Sequence, residues 1–229
     1  MIEISDIRKK FRRKHVLNGV SFKVEKGQIT SLIGLNGAGK STILKAIMGL
    51  TPVDGGSIRI AGQPITHDIY HTVAFIPDRL TMPGSMKLRD GLQFMADFYP
   101  RWNPERAEDL MSFFRLERSE RIGRLSKGTA AKFNLVLGMA QDVDYVLMDE
   151  PFSGIDMFSR ELIAEVFTSQ LVEDRGVLIT THEIRDVEHL IDRAVLLMEG
   201  HVIKDFNCEE MREAEGKSVI DVMREVYRP

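Results

Sequence analysis

Apolar side chains recur at every second position in "MIEISDI" and "VLNGVSFKVEKG", the spacing of half-buried antiparallel strands, with a turn expected near Lys26 and Gly27. "QITSLIG" then supplies a short apolar strand. A glycine-rich turn follows it, and "STILKAIMGL" has helical spacing until "TPVDGG" breaks the pattern. After the strand-like "SIRIAG" and "TVAFIPD", the period changes to that of helices from about Arg79 to Gln141. "KLRDGLQFMADFY" and "PERAEDLMSFFRLE" lie in this block, the second opened by Pro104 as a first-turn proline. Buried strands return at "DYVLMDE" (144–150), "GVLITTH" (176–182) and "AVLLMEG" (194–200). Helices are expected between them at 157–174 and 183–191, and "SVIDVMREVY" reads as a short helical tail. Strands alternating with helices predict an α/β fold with a mostly parallel sheet, an N-terminal antiparallel β part and an inserted α-helical subdomain. The expected division of this single domain of 229 residues is a core of 1–78 and 142–229 and a helical subdomain of 79–141.

Composition narrows the partners. With 31 Lys and Arg against 34 Asp and Glu, the balance gives no electrostatic case for nucleic acid. The lone cysteine, Cys208, excludes an internal disulfide and any Cys/His cluster with zinc spacing, as suits a reducing compartment. The N-terminus turns basic after its apolar alternation, the reverse of a signal peptide, and reads as a cytoplasmic start. No window approaches the roughly 20 apolar residues of a membrane-spanning helix.

The chemistry begins at "GLNGAGKST", Gly34 to Thr42, a full match to G-x-x-x-x-G-K-[ST] between an expected strand and an expected helix. The turn Gly34, Leu35, Asn36, Gly37, Ala38 and Gly39 lets successive backbone N–H groups face phosphate oxygens, and the helix start adds its dipole. Lys40 is placed for the β- and γ-phosphates, and the Ser41 hydroxyl for Mg²⁺, with Thr42 completing the loop. "DYVLMDEP" ends a buried strand with Asp149 and Glu150 at the sheet's carboxyl edge, where ligands of α/β folds collect. Asp149 suits the Mg²⁺ shell. Glu150 suits polarising a water for attack on the γ-phosphate.

These motifs in this order resemble the nucleotide-binding subunit of ATP-binding cassette (ABC) transporters, over nearly the whole chain. The resemblance implies a RecA-like P-loop core that binds and hydrolyses ATP with Mg²⁺. "SGID" (153–156) resembles the family's D-loop, which crosses a dimer interface, and His182 stands in the position of the switch histidine, where an imidazole can reach the γ-phosphate. Phe11, five residues before "VL" of "VLNGVSF", matches the aromatic that stacks on adenine; packing on the sheet is the other reading. Asp78 in "FIPDRL" falls where many members carry Gln. It either accepts from a metal-bound water or is a solvated loop carboxylate.

"LSKGT" stands where the family has "LSGGQ". Leu125, Ser126 and Gly128 are retained, and Lys127 and Thr129 are replacements. The resemblance implies that Ser126 and Gly128 contact ATP held by a second cassette, whereas the residues alone also describe a serine-capped helix. The acidic Asp78 and the "LSKG" form resemble bacterial exporter cassettes for antibiotics, drugs and amphipathic peptides. The expected partners are a second ABC ATPase subunit, in a homo- or heterodimer, and a separate integral membrane subunit. The latter would hold this chain at the cytoplasmic face of the membrane by docking near Asp78 to Arg101, where Met82, Met86, Phe94, Met95, Phe98, Tyr99 and Trp102 cluster, half or more of them expected to serve the subdomain's own core. A soluble cassette ATPase and a nucleotide-binding regulator without turnover are the alternatives.

Overall fold

The computed structural model describes residues 1–167, 174–182, 184, 185 and 187–227. An antiparallel sheet in the order β2-β1-β4-β5 is built from β1 (Ile2–Phe11), β2 (Lys14–Val24), β4 (Gly55–Ile60) and β5 (Gln63–Pro64). A second sheet, in the order β10-β9-β3-β8-β7-β6, combines β3 (Gln28–Ile33), β6 (Val73–Ile76), β7 (Tyr145–Asp149), β8 (Gly176–Thr181), β9 (Arg193–Met198) and β10 (His201–Asn207). Its strands run parallel except for the edge strand β10, which returns antiparallel to β9.

The first hairpin turns within the basic stretch between the two alternating segments. β1 continues through its basic residues to pair Phe11 with Lys14, and the chain reverses at Arg12 and Arg13, with Arg12 in the left-handed region at φ 53°. Charged side chains do not stop a strand whose outer face is solvated. The turn at Lys26 and Gly27 exists, but it leads out of β2 into β3 of the other sheet.

Period-two alternation in the central strands feeds two cores. Ile29 and Ile33 of β3, Val146 and Met148 of β7, Val177 and Ile179 of β8, and Ala194 and Leu196 of β9 face one. Leu32, Leu147, Leu178, Val195 and Leu197, each one residue out of phase, face the other. The second core also holds the apolar face of the antiparallel sheet (Ile2, Ile4, Val20, Phe22) and Ile43, Leu44 and Ile47 of α1 (Lys40–Ile47). The first receives α2 (Leu88–Phe98), α3 (Pro104–Phe113) and α4 (Lys127–Met139), which follow β6 and precede β7 in the chain. Pro104 does occupy the first turn of α3, below an Asn103 cap whose side-chain oxygen Oδ1 accepts from Arg106 N–H at 3.0 Å.

The connections after β7 differ in part from expectation. α5 covers Met157–Phe167, and 168–173 of the helix expected to reach residue 174 lie outside the described residues. Of the helix expected at 183–191, with 183 and 186 also outside them, the described residues carry only a tight turn at Glu188–Leu190. Its bonds run from Leu190 N–H to Val187 and from Ile191 N–H to Glu188, three residues back. Geometry explains the tight turn, because Asp192 must reach β3 at once: its N–H donates to the Ile29 carbonyl, and its carboxylate accepts from Ile29 N–H at 2.7 Å. Cys208 starts the helix Cys208–Glu215 and is buried, which with Asp192 and Glu188 nearby pushes its thiol up to about 12. So protonated a thiol is inert.

Gly138 sets how closely α4 approaches the sheet. A Cβ there would stand 2.2 Å from Ile76 Cγ1 and 2.4 Å from Cδ1, so Gly138→Ala is expected to destabilise the fold by about 1–3 kcal/mol through overpacking. In a denaturation double-mutant cycle, Ile76→Ala is expected to remove much of that added cost.

Candidate functional site

Because β3, β8 and β7 are neighbours in one parallel register, their carboxyl ends open on the same edge. Ile33 lies opposite Thr181, and Thr180 opposite Asp149. The residues that follow, Gly34, His182 and Glu150, therefore emerge side by side. This register brings together residues more than 100 positions apart.

The loop from Gly34 to Gly39 is shaped by contacts only glycine permits at its two ends. A Cβ on Gly34 would lie 2.6 Å from the Leu197 carbonyl oxygen. Gly39 sits at φ 113° with Leu17 Cδ2 2.7 Å from where its Cβ would be. Between them Ala38 N–H donates to the Leu35 carbonyl, closing the turn, and α1 starts at Lys40. At the far end of the chain, the Tyr227 hydroxyl lies 3.0 Å from the Ile33 carbonyl and 3.1 Å from that of Leu197, bracing the entry to the loop.

Lys40 is only 5% exposed, and its ammonium donates to the Gly34 carbonyl at 2.7 Å and pairs with Glu150 Oε1 at 3.1 Å. The other Glu150 oxygen, Oε2, accepts from His182 Nδ1 at 2.8 Å. One carboxylate thus joins the phosphate-loop lysine to the histidine after β8. Glu150 takes this place through a left-handed backbone at φ 49°, held by its N–H donating to the Thr180 hydroxyl at 3.0 Å. For a residue with a Cβ, such a conformation costs on the order of 1–3 kcal/mol and persists where the surroundings over-determine it.

Beside this triad, Asp149 Oδ1 accepts from the Ser41 hydroxyl at 3.0 Å and the Thr180 hydroxyl at 2.7 Å. Ser41 and Asp149 form a hard-oxygen pair of the kind that suits Mg²⁺. Among the described residues no group of three acidic, histidine or cysteine side chains could hold a metal alone. An ion here would therefore draw its remaining ligands from water and phosphate, the usual manner of Mg²⁺ in nucleotide sites.

All of this lines one cleft of about 1160 Å³, which also takes in Phe11, Asn36, Gly37, Thr42, Asp78 and Lys127. Phe11 is 48% exposed at the rim. The Lys9 ammonium lies 5.3 Å from its ring centroid, a cation–π contact, and is held there by Asp54 at 3.1 Å. The Lys10 backbone N–H and Lys9 keep the Asp54 carboxyl below its usual range. Asp78 lines the cleft with its carboxylate open to solvent, 3.7 Å from Arg79.

Ser126 and Gly128 do not line it. The Ser126 hydroxyl caps α4, accepting from Thr129 N–H at 3.1 Å, and Gly128 is buried against the start of α5, where a Cβ would meet Ser159 Oγ at 2.7 Å and Asp156 Oδ2 at 2.9 Å. Asp156 caps that helix in turn, accepting from the Ser159 N–H and hydroxyl, which lowers its carboxyl below the usual range.

Two contributors escaped the sequence reading. Lys9 looked like one cation in a basic run, though strand alternation puts it on the face of Phe11. Asn134 lay in an apolar helical run, where a lone amide was the available signal. Its side-chain N–H₂ donates to the Pro77 carbonyl at 2.7 Å, tying α4 to the loop that carries Asp78.

The chain as a whole is similar to proteins of one known family. A family model described as ABC transporter matches residues 17–153. Nod factor export ATP-binding protein I of Burkholderia lata is 31% identical over 230 residues, spanning 96% of this chain and 76% of that protein. Its namesake in Rhizobium etli is 31% identical over 231 residues, with 96% and 73% covered. A solved ATP-binding subunit of an ABC transporter superposes over the whole of both chains with a TM-score of 0.88 at 28% identity.

The Asn134 bond yields a direct test. Asn134→Leu is expected to cost about 1–2 kcal/mol in denaturant unfolding and to speed backbone hydrogen exchange in 78–82 by more than that global loss speeds it in β3.

Proposed function

The chain belongs to the ABC transporter family as an ATP-binding subunit, an ATPase, and from this premise we propose how its residues divide the work. The observation that carries the reading is the Lys40–Glu150–His182 network lying beside the Ser41–Asp149 pair. In this resting arrangement Glu150 has both oxygens engaged. A nucleotide triphosphate entering the loop competes for Lys40 with more negative charge than one carboxylate can offer. Lys40 then turns to the β- and γ-phosphates, and Glu150 Oε1 is released to accept a proton from the attacking water. His182 keeps Glu150 oriented and stands within reach of the γ-phosphate side of the site. Ser41 and Asp149 would hold Mg²⁺, with Asp78 of the same cleft as a further candidate ligand, and the ion would neutralise charge developing on the phosphates. Phe11, braced by Lys9, stacks on adenine.

The working division is a core of 1–78 and 142–229 and a helical subdomain of 79–141. Two copies, or this chain and a related cassette, close head to tail over two nucleotides, with Ser126 and Gly128 of each facing the other's phosphate loop. The exposed position of Ser126, away from its own cleft, supports that use. ATP favours the closed pair, so binding and hydrolysis shift a two-state equilibrium. The work is delivered to a separate integral membrane subunit, as befits an ATP-binding subunit of a transporter; no helix among the described residues is long and apolar enough to cross a bilayer. It docks in a second cavity of about 540 Å³ whose lining includes Met82, Met86, Phe94, Met95 and Tyr99, with the exposed Phe98 just beside it. Trp102 instead bridges to Gln141 and packs on the core. That subunit places the chain at the cytoplasmic face of the membrane. Export is the direction we favour, since the relatives at 31% identity are named for it and the "LSKG" form resembles cassettes for antibiotics, drugs and amphipathic peptides.

Glu150→Gln is expected to bind ATP as the wild type does while hydrolysis falls by about 10²–10⁴-fold, the usual worth of a general base. Equal turnover by the variant, or a wild type silent even with its membrane partner, would remove Glu150 or the enzyme from the scheme. Extraction of the tagged chain in mild detergent is expected to bring down an integral membrane protein. Ser126→Ala is expected to weaken ATP-driven dimerisation while leaving nucleotide binding by the monomer unchanged. Loss of monomer binding instead would assign Ser126 to its own chain.

A further inference from the structure

Six of the eight residues from Arg8 to His15 are Arg or Lys, in a chain whose net charge is −3. The β1–β2 hairpin therefore carries a concentration of positive charge that the molecule as a whole lacks. Its base is neutralised: Arg8 pairs with Asp6 at 3.1 Å and Lys9 with Asp54 at 3.1 Å. Its tip is not. Lys10, Arg12, Arg13 and Lys14 are exposed, and their side chains form no ion pair among the described residues.

The tip is placed where charge has a use. Phe11 and Lys14, paired across the end of the hairpin, line the cleft that holds Lys40 and Glu150. Gly39 packs against Val16 and Leu17 of β2, so the hairpin is fixed to the phosphate loop itself. Uncompensated cations beside a cleft focus the field at its mouth and raise the local concentration of an anionic ligand. That attraction reaches about 8–10 Å at physiological ionic strength, far enough to act before contact.

We propose that Lys10, Arg12, Arg13 and Lys14 form an electrostatic capture surface that accelerates entry of the nucleoside triphosphate into the cleft. The proposal rests on the nucleotide reading of the phosphate loop and adds a kinetic function to the hairpin tip that carries Phe11. Capture acts on association. It therefore leaves dissociation and turnover at saturating ATP untouched, unlike the phosphate-loop contacts, which hold the bound nucleotide.

Arg12 and Arg13 serve as the probes, since neither lines the cleft. At Arg12 the replacement must tolerate φ 53°, which Asn and Asp do. Stopped-flow binding of a fluorescent ATP analogue compares wild type, Arg12→Asn with Arg13→Gln, and Arg12→Asp with Arg13→Glu. At low ionic strength the neutral pair is expected to lower the association rate about threefold and the reversed pair about tenfold. Dissociation rates are expected to match, and the differences to shrink below about 1.5-fold at about 0.5 M salt. Association rates that do not fall at low salt overturn the proposal. So does a loss of binding to phosphatidylserine vesicles with nucleotide kinetics intact, which would assign the tip to a membrane surface. Lys40→Ala separates the two levels: if it abolishes binding while the hairpin variants associate like wild type, capture fails and the nucleotide site stands; if wild type binds no nucleotide, both fail.

Discussion

An ammonium group left 5% exposed must find its counter-charge and acceptors within the protein, and for Lys40 that requirement organises everything around it. The Gly34 carbonyl and the Glu150 carboxylate meet it, one from the turn after β3 and the other from the end of β7. The carboxylate would not be within reach without β8 between those strands in matching register. His182, leaving β8 itself, closes the arrangement on the second Glu150 oxygen. A buried charge pair of this kind is poor evidence for stability, since its desolvation offsets much of its attraction. Its value is that it can be exchanged. In the function proposed above, a phosphate offers Lys40 a stronger partner and frees the carboxylate in the same step.

Much of the fold and of this centre was legible in the sequence because the informative features are local. Gly34, Gly39, Lys40 and Ser41 occur within eight residues, and the apolar runs of β7, β8 and β9 could be little but buried strands. The features that escaped depend on what lies opposite. The hairpin turn at Arg12 and Arg13 was hidden by charges that a solvated strand edge tolerates. The segment before β9 has helical composition, but Asp192 must bond to Ile29, and the described residues just before it, 187–191, form a tight turn. Asn134 and Lys9 are undistinguished until the Pro77 carbonyl and the Phe11 ring are seen beside them. Period and motif specify one chain element; pairing partners belong to the fold.

The signature segment shows how one residue can meet two demands. Gly128 lacks a Cβ where Ser159 and Asp156 stand closer than any side chain would allow, so glycine there is required by packing inside the subunit. Lys127 has no such constraint and extends into the cleft region, as befits a position where the residue differs from the family's form. Retention of Ser126 and Gly128 with change at Lys127 and Thr129 thus follows the distinction between backbone geometry and adaptable side chains. The contact between Gly128 and the Asp156 cap also means that the start of α4 cannot move without disturbing the segment 153–156. Motion at one of these two edges is felt at the other.

The same logic links the nucleotide cleft to the apolar groove beneath α2. Pro77, Leu80, Met82 and Asn134 line both cavities, so a single wall separates them. That wall is pinned by one hydrogen bond, from Asn134 to the Pro77 carbonyl. Methionine and leucine side chains on either side can repack without unsatisfied polar atoms, whereas the amide bond has one good geometry. A displacement of α4 must therefore either carry Pro77 and Asp78 with it or break the bond and leave a carbonyl without its donor. The first costs less. It makes the position of the Asp78 loop depend on whatever occupies the groove, which is the physical condition that the proposed coupling between cleft and partner requires.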